Sequence, residues 1–570
     1  MKASARIVNL ALLALGAWAD IAAGADSPVT FNKHLAPVLF GQCAICHRPG
    51  GSGPFNLLTY ADARKHSDDM VQVTARRYMP PWLPEHGFGD FVGERRLSDE
   101  QILLFRRWRD GGMAEGARAD LPPEPKWQDG WQLGRPDLIV EMPRAYTLSG
   151  EGRDVYRNFV VPAALPSLKF VRAVEFRPGP TKAIHHAFIK VDVTGQSRKL
   201  ESSEPVPGFP GMSAPGAEMP EGQFLGWQPG RFAAESAPGL PWFLPAGSDL
   251  VFQLHMNPVG HPEEIRCTAG IYFSERPPTH PTFKILLTSL DIDLPAGSTN
   301  GVVADEFTLP VDAEVLAVLP HAHYLAREMR GLATLPDGTQ KSLLWIRNWD
   351  FNWQGDYRYR QPIFLPRGTR LSMRFTYDNS SGNPRNPHSP PQRVVYGPQS
   401  SDEMGELWFQ IMLRNREDVP LLGQEYDRKM KRVFVTYNES LLRKNSGDIE
   451  ALTNLGKSRL AGGDIAAALT NFQKAIELRP DFDEAHYFSG LVFRMQGKLD
   501  EAKREFTRTI ELNPKNGKAF GNLGVIFMEE GRLDEAESRL KSALQLNPSD
   551  EIAQTCLKQI ASLRAARPKP

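Results

Sequence analysis

The sequence predicts a multidomain protein: a small all-α domain, two all-β sandwiches, and an all-α solenoid of repeats. Three observations predict it. A helical pattern broken by glycine and proline loops runs from about Ser27 to Gly116. Short β-branched and aromatic runs replace it from about Arg135 to Asn415, and after Lys431 a helical pattern recurs with a fixed period. At 570 residues the chain is longer than one hydrophobic core supports, so separate domains are expected.

The first element is a leader. Lys2 and Arg6 precede an apolar stretch from Ile7 to Trp18, and small residues follow at Ala23, Gly24 and Ala25, so residues 1–25 read as a cleavable secretory signal. The stretch is shorter than a bilayer span, a retained anchor being the alternative. No other apolar run approaches spanning length, so a periplasmic or secreted protein is expected, with no membrane span after cleavage. Lysine plus arginine equals aspartate plus glutamate at 67 each, so no net field draws the chain to nucleic acid or an anionic membrane. Cys43, Cys46, Cys267 and Cys556 are too few and too scattered for a disulfide scaffold.

The small helical domain is placed at 27–118. It contains "CAICH", Cys43 to His47, the C-x-x-C-H pattern of c-type heme attachment, in which two thiols add to the vinyl groups and the histidine binds iron. A zinc or redox C-x-x-C is the alternative, but an exported chain meets the compartment where such attachment occurs. "RRYMPPWLPEHG" offers Met79 as sixth iron ligand, and a thioether there raises the potential. His66, His86, Met70 and Met113 compete, and core packing is the common role of a single methionine. The segment resembles small bacterial cytochrome c domains, which share the following helix, here "LSDEQILLFRRWRDGG".

The runs "DLIVEM", "NFVVPA", "AFIKVDV", "DLVFQLHM" and "RLSMRFTY" predict strands, and their span suits two sandwiches, placed at 135–290 and 291–430. Five of the thirteen histidines fall in strand-like segments. In "LPHAHYLARE", His321 and His323 stand two apart and face the same way, so they can converge on one ion. "AIHHAFIKVDV" supplies His185 and His186, and "LVFQLHMNPVG" supplies His255. Adjacent strand residues normally face opposite sides, so joint ligation by His185 and His186 requires a bulge or a strand end. Taken alone, paired histidines in a half-buried strand are often only hydrogen-bonded. Imidazole and thioether together suit copper better than magnesium or calcium.

The order His-His, His, His-x-His, then "SSDEM" resembles the copper type II, ascorbate-dependent monooxygenases, the peptidylglycine α-hydroxylating and dopamine β-monooxygenase family, over roughly residues 140 to 420. The resemblance implies two jelly-roll-like sandwiches, each holding one copper across a water-filled cleft. It implies that His185, His186 and His255 hold an electron-transfer copper. His321, His323 and Met404 would hold the copper that binds oxygen and attacks a substrate C–H bond. Only the match of "SSDEM" selects Met404; Met256, Met329, Met373 and Met412 are rivals on chemistry alone. The chain also departs from the family. Animal relatives are disulfide-rich, whereas only Cys267 falls in this region. The arginine, asparagine and tyrosine that hold a peptidyl-glycine carboxylate are replaced by Leu319, Glu406 and Trp408, and Glu406 would repel a carboxylate. A substrate other than peptidyl-glycine is expected. The aromatic residues Trp345, Trp349, Phe351, Trp353, Tyr357 and Tyr359 are read as sheet packing, part of them lining an apolar pocket as the alternative. His261, His280 and His388 are read as solvated.

The last element is placed at 435–570. Gly456, Gly490 and Gly524 recur every 34 residues, as do Ala468, Ala502 and Ala536, and Pro480, Pro514 and Pro548. This resembles the tetratricopeptide repeat, with three units over about 449–550 and a capping helix from Ile552 to Ala566. Thr509 replaces the alanine found at Ala475 and Ala543.

Together these features lead to an expected exported copper-dependent monooxygenase with two copper ions and heme c. It would take O2, a small-molecule or peptide substrate and an external electron donor, its own heme relaying electrons to copper, and the repeats would bind a protein partner. Two other readings stand beside it: a heme and copper electron-transfer or copper-binding protein without hydroxylase activity, and a periplasmic repeat scaffold.

Overall fold

The computed structural model describes residues 28–565, apart from 52, 128–129, 180–181, 213, 229–230, 232 and 234. The secretory signal read over 1–25 lies outside the described residues. Two compact units emerge, one ending at Pro81 and resumed over Arg95–Trp127, the other made of Trp82–Glu94 and the chain from 128 on.

The first unit is helical. Helical turns run unbroken over Phe31–Cys43, and helices Tyr60–Lys65, Ser67–Ala75 and Asp99–Asp110 follow. Thr59 with Asp62 and Ser98 with Gln101 form capping boxes, in which side chain and backbone satisfy each other's free N–H groups. Phe31, Leu35, Leu39, Met70, Phe105 and Trp108 build its core.

In the second unit, β-strands pair antiparallel in two successive groups. In the first, a four-stranded sheet runs Leu138–Glu141, Thr268–Ser274, Lys169–Arg177, Trp242–Leu244. A larger sheet has Val155–Pro162, Asp249–Met256 and Ile184–Asp192 at its centre. One core is shared between them, with Val171, Phe176 and Ile271 from one sheet and Phe159, Ile189 and Phe252 from the other. Asp249–Met256 is buried at every position, because its second face lies under Phe209, Ala214 and Ala217. That explains why "DLVFQLHM" reads as a continuous apolar run rather than an alternating one.

The second group has four-stranded sheets ordered Thr282–Thr288, Gly405–Met412, Ala313–Ala322, Tyr357–Leu365 and Gly301–Thr308, Arg370–Tyr377, Ala326–Thr334, Gln340–Ile346. Ile285, Val318 and Phe409 meet Phe307, Met329 and Phe375 in its core. Trp82–Glu94, sequence-adjacent to the heme motif domain, packs here. The Glu85 N–H donates to Trp345 O at 2.7 Å and the Val92 N–H to Arg358 O at 2.8 Å. Phe91 is buried against Tyr357 and Tyr359. These apolar rings find on the sheet a cover that the small helical core does not provide.

A 27-residue helix, Asp418–Lys444, begins before the pattern change read at Lys431. The Leu286 N–H donates to Tyr426 Oη at 3.1 Å, and Lys429, almost wholly buried, donates to Leu286 O and pairs with Asp305. Three helix pairs follow, Ile449–Ala461 with Ile465–Leu478, Asp483–Met495 with Leu499–Leu512, and Gly517–Glu529 with Leu533–Leu546, then Glu551–Ala565. A Cβ on Gly456, Gly490 or Gly524 would come within 2.5–2.8 Å of Phe472, Phe506 or Leu540, so the 34-residue glycine period marks close helix crossings. Thr509 is buried, and its hydroxyl donates to Glu505 O at 2.9 Å, which absorbs the departure from alanine. Among the described residues no helix is long and apolar enough to cross a membrane.

Candidate metal centres

The ladder between Asp249–Met256 and Ile184–Asp192 pairs His255 with His186 and Met256 with Ile184, leaving His185 without a ladder partner. That extra residue is a β-bulge, the device needed for neighbouring histidines to face one way. His185 Nδ1 lies 3.1 Å from His186 Nδ1, and His186 Nδ1 lies 3.4 Å from His255 Nδ1. A ligand nitrogen from each of the three fits within 4.8 Å of the others. Two imidazole nitrogens held at roughly 2 Å from one ion stand roughly 3 Å apart, so the spacing fits a shared metal. Loss of hydration lowers the pKa of His185 to about 3 and that of His186 well below its ordinary value, so both rings are neutral and their lone pairs are free to bind a cation. Tyr156 stacks on His255 with centroids 4.1 Å apart.

In the second group, His321 pairs with Glu406 and Ala322 with Gly405. His323 and Met404 are the residues next beyond the last pair of this ladder. The two histidine rings are 5.3 Å apart. His321 Nδ1 lies 2.5 Å from Gln354 Oε1, and His323 Nδ1 lies 3.2 Å from Asp402 O. With Nδ1–H donating in both, each Nε2 keeps its lone pair for a metal. Burial lowers the pKa of His323 to about 3, and Trp349 Nε1 donates to its backbone carbonyl at 3.0 Å. Glu403 is fully buried, and its carboxyl accepts the backbone N–H groups of His323, Leu325 and Met404 at 2.5, 2.9 and 2.9 Å. Burial pushes that carboxyl up to about 8, against the three donors.

His185, His186, His321 and Met404 line one cavity of about 300 Å³, with Phe188, Leu319, Phe351, Glu406 and Trp408. Met212 and Met219 line it too, thioethers that sequence reasoning did not weigh. Among the rivals to Met404, Met256, Met329 and Met373 lie in the hydrophobic cores. Phe351 stacks on His185 at 4.6 Å and meets His323 edge-on at 5.5 Å. Phe351 therefore belongs to the site, while Tyr357 and Tyr359 pack against Phe91 as expected. His388 is half-buried with Nε2 3.3 Å from Ser401 O, whereas His261 pairs with Glu263 and His280 with Thr279 at the surface. Cys267 is a buried free thiol that donates to Pro178 O.

In the helical unit, Cys43 and Cys46 are free thiols. His47 Nδ1 lies 3.0 Å from Phe55 O, an arrangement that leaves Nε2 for an iron. These three residues fit a c-type heme. Met79 is half-buried and follows the helix Ser67–Ala75. Met70 lies in the core with Met113 against it, His66 stacks on Phe55 at 3.8 Å, and His86 pairs with Glu94 on the stretch that packs with the β-rich unit.

Two family models described as tetratricopeptide repeat match residues 453–502 and 493–560. That part of the chain consists of tetratricopeptide repeats. The crystal structure of MamA protein is 20% identical over 25% of this chain and 79% of its own, with a TM-score of 0.23. The Arabidopsis OM64 TPR domain is 21% identical over 20% of this chain and 95% of its own, with a TM-score of 0.20. The first TPR of Spaghetti (RPAP3), bound to the HSP90 peptide SRMEEVD, is 20% identical over 21% and 97%, with a TM-score of 0.21. No curated protein matches the chain.

Proposed function

We propose that the chain is an exported copper-dependent monooxygenase that hydroxylates a C–H bond with O2, its own c-type heme passing electrons towards copper. The observation that carries this reading is the bulge at His185, which turns three imidazoles of two neighbouring strands inward beside a cavity shared with His321 and Met404. Packing alone does not call for such a convergence of neutral, dehydrated rings.

His185, His186 and His255 would hold one copper, and His321, His323 and Met404 the other. Bound copper supplies one-electron chemistry, so that R–H, O2, two electrons and two protons give R–OH and water. The residues do the rest. Gln354 and the Asp402 carbonyl orient the His321 and His323 rings, and Glu403 holds His323 and Met404 on adjacent chain ends. Leu319, Phe188, Phe351 and Trp408 exclude water and favour an apolar substrate, while Glu406 on the cavity wall disfavours an anionic one. Cys43, Cys46 and His47, with Met79 as sixth ligand, would hold the heme, and the repeats would dock a protein partner.

The test is to count copper and heme per chain in parent and Met404→Ile proteins made with cytochrome maturation factors. Two coppers in the parent, falling towards one in the variant, with oxygen uptake coupled to an oxidised product, is the expected result. Copper binding without oxygen uptake would leave electron transfer or copper binding as the function. Stopped-flow mixing of the reduced heme protein with its cupric centres tests the relay, which requires heme oxidation as copper is reduced.

A further inference from the structure

His255 is closed in: its side chain is fully buried, Tyr156 stacks on its ring, and Nδ1 faces His186 Nδ1 at 3.4 Å. The remaining nitrogen, Nε2, lies 3.1 Å from Asp154 Oδ2. The same oxygen accepts the Ser400 hydroxyl at 2.6 Å, from a residue 246 positions away on the loop that leads into Glu403 and Met404. One carboxylate oxygen thus joins a ligand of the three-histidine cluster to the loop of the methionine site.

We propose that Asp154 is a positioning residue of the three-histidine centre, anchored to the loop of the methionine site through Ser400. It accepts Nε2–H of His255 so that Nδ1 keeps its lone pair for the ion, and Ser400 holds it in place. This rests on the copper reading above. A carboxylate behind a ligating imidazole fixes the ring's tautomer and orientation and raises its basicity, and its loss typically weakens metal binding by about 10–100-fold. Because Oδ2 is shared, loss of the Ser400 hydroxyl leaves the carboxylate less firmly placed behind His255.

The experiment uses the full chain with its heme. Cu(I) affinity is measured by competition with a chromogenic chelator, and the Cu(II) form is examined by electron paramagnetic resonance, for parent, Asp154→Ala, Asp154→Asn and Ser400→Ala. Asp154→Ala is expected to weaken one of two coppers by about 10–100-fold and to alter its spectrum while the second copper stays bound. Asp154→Asn, whose amide oxygen still accepts both donors, should recover most of the loss. Ser400→Ala removes one hydroxyl and carries the test should Asp154→Ala not fold; a shifted spectrum of the same copper is expected. Parental affinity and spectrum in Asp154→Ala, or in Ser400→Ala should Asp154→Ala not fold, would overturn the proposal. A parent that binds no copper, or a His255→Ala chain that still binds two, would instead overturn the copper reading itself.

Discussion

Phe351 lies flat on His185, with centroids 4.6 Å apart and planes 25° from parallel. The same ring meets His323 edge-on at 5.5 Å and tilts against Tyr324 at 4.7 Å. A single aromatic side chain therefore touches one histidine of each cluster.

Phe351 is 1% exposed, so replacing it tests packing and site together. Phe351→Ala should cost about 3–5 kcal/mol, and Phe351→Leu, which keeps most of the volume, about 1.5 kcal/mol in urea unfolding. The leucine variant should keep the copper count of the parent while changing the rate at which the two coppers exchange electrons. Unchanged exchange in a folded Phe351→Leu protein would make the ring a packing element only.

His185 owes its direction to the bulge. His185→Ala should lower copper from two per chain to one by elemental analysis, with heme content unchanged. The substitution also removes the stack on buried Phe351, so the metal-free variant should unfold somewhat more readily than the parent.

In the repeats, glycines differ in what surrounds them. Gly490→Ala places a methyl 2.8 Å from the Phe506 ring and should cost about 1–3 kcal/mol through overpacking. Gly521→Ala meets nothing nearer than 3.7 Å and should gain about 0.5–1 kcal/mol from helix propensity. Thermal unfolding of both variants checks the contrast in sign.

His486 Nδ1 lies 2.7 Å from Glu505, and Nε2 lies 3.0 Å from Pro480 O. The Glu505 hydrogen bond raises the His486 pKa, opposed by burial and by Arg508. The folded state holds the proton more tightly than the unfolded chain. This stabilisation is therefore complete below the ordinary histidine pKa near 6.5 and is lost as pH rises through the folded value. Repeat stability should fall from pH 5.5 to pH 8.5, and Glu505→Gln should flatten that dependence. An equal slope in the variant would assign it to another group.

The repeats were legible because close helix crossings demand small residues at a fixed spacing, and Gly456, Gly490 and Gly524 carry that demand in plain view. Strands were legible by composition, though not their pairing. Less so were the edges: Trp82, Phe88 and Phe91 look continuous with the heme-motif segment, yet they pack on the β-sheet, since apolar rings settle wherever burial is greatest. Asp154 and Gln354 gave no signal, because a lone polar residue in a loop is ordinary until folding shows what it faces, and Ser400, though inside "SSDEM", gave no hint of its partner.

Residue identity and spacing by themselves determined which chemistries were on offer: two thiols and an imidazole in "CAICH", five imidazoles in strand-like runs, and a 34-residue helical period. Only tertiary structure decided which groups meet. The bulge that turns His185, the cavity that Met404 and His321 both line, and the Asp154 oxygen shared by His255 and Ser400 all depend on pairings between distant strands and loops. Local pattern records the face a side chain prefers; convergence within a few ångströms depends on how separate sheets stack, and no short stretch of chain encodes that.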